Sequence, residues 1–95
     1  YRKIKDDLEI QAKAFNNLGL VYLSLNEPEK ALVEFKNSLR ANPEIPDTHY
    51  NLGKLIMDLK GDKESARTHL KKALSLVHSP ALKAQIKNLL QKISS

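Results

Sequence analysis

The 95-residue chain has no cysteine and no tryptophan, only two phenylalanines and three tyrosines, three glycines and one methionine, Met57. Without cysteine there is no disulfide and no thiolate metal site, and the redox compartment is left open. No stretch approaches the roughly 18 apolar residues of a membrane-spanning helix. No signal-peptide pattern opens the chain at Tyr1, which reads as the start of a piece of a longer protein. The three glycines are isolated, so neither G-x-G-x-x-G nor a phosphate-binding loop is present. With aromatics this scarce, the apolar residues are mostly Leu, Ile, Val and Ala, a set suited to helix packing. The length is that of one domain or part of one.

The net charge of +5 is unevenly spread. Acids and bases balance over residues 1–61, and the whole excess lies in residues 62–95. Arg67, Lys71, Lys72, Lys83, Lys87 and Lys92 form the basic group. No aromatic residue interleaves with them, so the stacking platforms of a single-strand nucleic-acid surface are missing. A solvated helix face accounts for the lysines.

Apolar spacing is helical throughout. Ile4, Leu8, Ala12, Phe15, Leu18, Gly19, Tyr22 and Leu25 step by three or four and share one face. They predict one long helix from about Lys3 to Leu25. Asn26 suits a left-handed stop and Pro28 the first turn of a second helix, which runs to about Ala41 before Asn42-Pro43. A third helix opens at Pro46-Asp47 and ends near Lys60, with Gly61 as its stop and Asp62 as N-cap of a fourth. The fourth carries Ala66, Leu70, Ala73, Leu74 and Val77 and is expected to end near His78. Ser79-Pro80 begins a fifth, with Leu82, Ile86, Leu89, Leu90 and Ile93 on one stripe. No strand signal occurs.

The chain repeats itself at 34 residues. Asn17-Leu18-Gly19 returns as Asn51-Leu52-Gly53; Phe15 lies over His49 and Tyr22 over Ile56. After one extra residue, Ala31 lies over Ala66, Phe35 over Leu70, Ser38 over Ala73 and Pro43 over His78. Gly in a helix interior costs about 1 kcal/mol relative to Ala, so a recurring one marks a place where a side chain does not fit. The expected contacts are Gly19 with Ala31 and Gly53 with Ala66. Leu18 with Tyr22, and Leu52 with Ile56, are expected to fill the volume beside them.

This pattern resembles the tetratricopeptide repeat, a pair of antiparallel helices with the motif W-x2-L-G-x2-Y, then A-x3-F, then P. The first copy fits closely, with Phe15 for the Trp. The second is looser, with His49, Ile56, Leu70 and His78 at the Trp, Tyr, Phe and Pro positions. The resemblance implies an all-α fold: two helical-hairpin repeats and a C-terminal capping helix, a fragment of a right-handed α-solenoid. Residues 1–11 would be an N-terminal helical extension, 12–45 and 46–79 the repeats, and 80–93 the cap of a single domain.

Stacked repeats of this kind present the first helix of each pair on a concave side. The resemblance places Lys13, Asn16, Asn17, Leu20 and Ser24 on that side in the first repeat. In the second it places Asp47, Tyr50, Asn51, Lys54, Met57 and Asp58 there. A primary amide donates and accepts at once, so Asn17 and Asn51 could pair the backbone of an extended peptide. The family's clamp for the acidic C-terminus of heat-shock chaperones is absent, because Asn16 and Leu20 stand where it needs a lysine and an asparagine.

Enzyme chemistry finds no footing. His49, His69 and His78 lack metal-ligand spacing, and Asp6-Asp7 and Glu27/Glu29 read as helix-end charges. No nucleophile has a base, and no metal or cofactor is expected. The expected function is non-covalent binding of a protein or extended peptide in the groove, as an adaptor or scaffold. The alternative is self-assembly into a homo-oligomer through Ile4 and Leu8, and the third reading is nucleic-acid binding by the basic end. No compartment follows from the sequence.

Overall fold

A computed structural model describes the backbone of residues 2–94 and the side chains of 3–94; Tyr1, the first residue of the expected extension, lies outside them. Five helices follow in order: α1 (Arg2–Ser24), α2 (Pro28–Ala41), α3 (Pro46–Lys60), α4 (Lys63–Leu76) and α5 (Pro80–Ser94). There is no strand among the described residues. The chain divides between Ile45 and Pro46 into two compact units. The first is the α1–α2 hairpin, and the second is the α3–α4 hairpin with α5.

The helix boundaries follow local chemistry. Asn26 takes the left-handed conformation (φ 61°) after α1, and Pro28 opens α2. Gly61 does the same (φ 63°) after α3. The Asp62 carboxylate then accepts a hydrogen bond from the Ser65 backbone N–H at 3.1 Å, capping α4. α4 ends at Leu76, two residues before the expected stop at His78, with Val77 extended. Ser79, just before Pro80, is sterically kept out of the helical region, which favours an early exit.

In the first unit α1 and α2 meet around Ala12, Ala31, Phe35 and Ser38, all fully buried. Phe35 lies against Gly19: a Cβ built on that glycine would stand 2.7 Å from the ring's Cδ1. The glycine thus makes room for an aromatic ring, and its nearest neighbours are ring atoms rather than Ala31 as the sequence suggested. The Ser38 hydroxyl donates to the Ala12 carbonyl at 2.7 Å, tying the helices together in the core.

In the second unit a Cβ on Gly53 would meet the Ala66 carbonyl oxygen and Leu70 Cγ, each at 3.1 Å. Here the expected approach of backbone to backbone is found. Ala66, Leu70 and Ala73 of α4 share a core with Ile86 and Ile93 of α5. Tyr50, Met57, Leu74 and Val77 pack around it. Burying one such aliphatic side chain contributes roughly 1.5–3 kcal/mol.

One expectation is corrected. Leu18 does not fill the core beside Gly19; it is 39 % exposed, whereas its counterpart Leu52 is 2 % exposed. Leu18 follows its neighbours around the helix onto the flank of α1 that α2 does not cover. Ile4 and Leu8 of the extension are exposed as well, at 65 % and 40 %.

Candidate functional site

Each row of groove positions lies along one helix. On α1, Lys13, Asn17, Leu20 and Ser24 are exposed. The Ser24 hydroxyl turns back to donate to the Leu20 carbonyl at 3.2 Å. Asn16 departs from the expected surface role, being buried at 7 % exposure. Its amide has a bonding partner there, as does every buried side-chain polar atom among the described residues.

On α3, Asp47, Lys54 and Asp58 are exposed and Tyr50, Asn51 and Met57 half-buried. Tyr50 and Met57 serve partly as core, because both pack against the Ala66–Leu70–Ile86 cluster. Tyr50 and Lys54 also line an open cleft of about 150 Å³ between α3 and α5, completed by Gln85, Asn88, Leu89 and Lys92. The cleft therefore joins two of the α3 positions expected from the sequence to four residues of α5 that were not.

The signal for the α5 residues was present. A second 34-residue step carries Pro46 to Pro80, Asn51 to Gln85, Leu52 to Ile86 and Lys54 to Asn88. α5 thus repeats the first helix of a hairpin. At the glycine position it carries Lys87, which is exposed. A lysine there lacks the small volume that Gly19 and Gly53 give to their partner helices.

The electrostatics of this unit are lopsided. α5 has three lysines and no acid. Asp62 at the α4 N-cap is held below the usual aspartate range by the Ser65 backbone N–H, then by the Ser65 side chain. His49, at the position of the motif's tryptophan, is buried. Its Nδ1 lies 3.1 Å from Nδ1 of His69, so one imidazole N–H can donate to the other ring, with ring centroids 5.4 Å apart. No group of three or more His, Cys, Asp or Glu stands close enough to hold a metal among the described residues. No helix among them is long and apolar enough to cross a membrane.

Residues 12–45, covering most of α1 and all of α2, match the family model described as Tetratricopeptide repeat. No curated protein matches the chain. The match falls on the hairpin closed by Gly19 and Phe35, and the five-helix, all-α architecture agrees with it. On these findings residues 12–45 are similar to the tetratricopeptide repeat family, and the match supports that assignment for the chain.

Proposed function

We propose that the chain is a non-enzymatic adaptor module that takes an extended peptide along the exposed faces of its hairpin helices. Tetratricopeptide repeats mediate protein–protein interaction. The observation that carries the finer reading is the recurrence of a primary amide at one repeat position: Asn17 on α1, Asn51 on α3 and Gln85 on α5. Each can donate to and accept from a peptide unit whatever side chain that unit bears. Asn17 and Gln85 are exposed and Asn51 is half-buried, so none is a main component of the core.

The test is a peptide selected from a random library and titrated against the protein and its Asn17→Ala/Asn51→Ala variant. Each neutral hydrogen bond lost is worth roughly 0.5–1.5 kcal/mol, so binding should weaken about five- to a hundred-fold. The melting temperature should stay close to that of the parent. Unchanged affinity returns both asparagines to the role of helix-surface groups.

The exposed apolar residues favour a second reading, self-association through α1. Ile4, Leu8, Leu18 and Leu25 are exposed apolar side chains on or at the end of α1. Single exposed apolar residues are normal on a surface, and several along one helix are what a self-association face would use. If copies associate there, Ile4→Asp/Leu8→Asp lowers the mass seen by light scattering and Asn17→Ala/Asn51→Ala does not.

A further inference from the structure

We infer that the His49–His69 pair is an acid-sensitive latch inside the second hairpin: it holds α3 to α4 while it carries at most one proton, and it forces them apart when it takes up a second. The inference concerns how the hairpin is held and does not depend on what the module binds.

The pair is set where the two helices approach closely. A Cβ on Gly53 would stand 3.4 Å from Cβ of His69, beside its contacts with Ala66 and Leu70. His49 is buried and His69 half-buried. Their Nδ1 atoms are 3.1 Å apart, and the rings are tilted by 30° with centroids 5.4 Å apart. With both rings neutral, one Nδ1–H can donate to the other Nδ1. With one proton added, an imidazolium donates to a neutral ring, and its charge strengthens the bond. A second proton leaves two donors face to face and no acceptor. It also places two like charges a few ångströms apart where little water can screen them. A contact that closed the hairpin then opens it.

Within the second unit the charges that flank the pair do not offset a second proton. One turn from His49 on α3 stand Pro46, Leu52 and Gly53, none of them ionisable. One turn from His69 on α4 the one charged residue is Lys72, a cation. α5 meets α4 through Ile86 and Ile93, and its charged side chains, Lys83, Lys87 and Lys92, are all cations. The acids of the unit, Asp47, Asp58, Asp62 and Glu64, are exposed. None joins the two rings in a group of three close enough to share a metal among the described residues.

The first hairpin has no such pair. Phe15 lies at the position of His49 and, after the one inserted residue, Glu34 at that of His69. Glu34 accepts instead from the Asn37 side chain at 3.3 Å. Sensitivity to acid near the ordinary histidine value of about 6.5 therefore belongs to the second hairpin. Below that value the unfolded chain protonates both rings, whereas the folded pair holds one proton and resists the second. Stability is thus full above about 6.5 and is lost as the pH falls. α3 also carries Tyr50, Asn51 and Lys54, so opening in mild acid destroys the geometry of that face.

The test uses the full chain in three forms: the parent, His49→Phe/His69→Gln and His49→Gln/His69→Gln. Neither variant can take a proton at these two places, and the second serves if the first does not fold. Urea titrations at pH 7, 6 and 5 give the unfolding constant of each. From pH 7 to pH 5 the parent's constant should rise about ten- to thirtyfold more than the variant's, as one proton excluded from the folded state requires. Imidazole NMR signals give a second readout, in a His78→Gln background that leaves the pair as the only histidines. Over the same range the folded pair should take up one proton and not two. Parallel loss of stability in parent and variant would overturn the latch. So would two rings that each titrate independently near 6.5 while the hairpin stays folded. If neither double variant folds, the NMR titration decides alone.

Discussion

At Gly19, α1 makes room for an aromatic ring; at Gly53, 34 residues later, α3 makes room for a backbone carbonyl and a leucine. The repeat conserves an absence of volume at this place but not the atoms that use it. The two hairpins differ in other details too. The first ties its helices with a buried hydroxyl, Ser38 to the Ala12 carbonyl, where the second has Ala73. The second caps its later helix with Asp62, where Glu27 at the start of α2 makes no side-chain cap bond. Equivalent apolar positions also meet different surroundings. Leu18 is exposed, Leu52 is buried, and Ile86 lies wholly within the core shared by α4 and α5. The hairpin repeated in this chain is thus a pattern of volumes that several sets of local bonds can satisfy.

The largest expected effect tests whether the second hairpin depends on α5. Ending the chain at Ser79 uncovers Ala66, Leu70 and Ala73, three side chains with no exposure in the full structure. Circular dichroism should show loss of cooperative melting for the α3–α4 part, or light scattering should show aggregation. A truncated chain that melts cooperatively would make α5 an appendage and the two hairpins equally self-sufficient.

Next come the glycines. Gly19→Ala would force a Cβ into a ring that has no exposed atoms and little freedom to retreat, at a cost of about 1–3 kcal/mol, and Gly19→Leu still more. Gly53→Ala needs its neighbours to yield only a few tenths of an ångström. The gain in helix propensity of about 1 kcal/mol opposes that strain, so the net loss should be below about 1 kcal/mol. Urea titrations of the variants decide it; equal losses would mean that ring and carbonyl are equally unyielding.

Smaller is the effect of the buried hydroxyl. Ser38→Ala removes one internal hydrogen bond and should cost about 0.5–1.5 kcal/mol in the same titration. An unchanged midpoint would show that the Ser38 bond adds nothing beyond packing.

The smallest effect concerns the caps. Asp62→Ala should lower stability at neutral pH, whereas Glu27→Ala should not, because Glu27 makes no side-chain cap bond. Asp62 has a lowered folded-state pKa, so its contribution is fully present above the ordinary aspartate value of about 3.9. It is lost as the pH falls through the lowered folded value. The stability difference between parent and Asp62→Ala should therefore shrink in acid, as acid melts would show; a constant difference would mean that the carboxylate charge plays no part in the cap.

Much of this was legible because it is local. Helix ends are written in single residues whose backbone preferences act within one turn: Asn26 and Gly61 in the left-handed conformation, Pro28 and Pro80 at first helical positions. The paired glycines announced tight contacts because a mid-helix glycine is otherwise unfavourable. The candidate site was only half legible. Tyr50 and Lys54 followed from their place in the repeat, but Gln85, Asn88, Leu89 and Lys92 lie on a helix whose apolar stripe reads simply as a cap. Asn16 was misplaced for a related reason: spacing assigns a residue to a side of a helix, and burial depends on what else occupies that side.

By itself the sequence determined five helices, most of their stops, the 34-residue period and the two places where a side chain is excluded. These depend on backbone preference and on volume, which each residue carries with it. Only the tertiary structure decided that a phenylalanine ring closes over Gly19 while a carbonyl closes over Gly53. It alone showed that Leu18 and Leu52 part company, and that lysines from α3 and α5 face one cleft. Those outcomes depend on which side chains, distant in sequence, arrive in the same few ångströms, and periodicity along a chain carries no record of that.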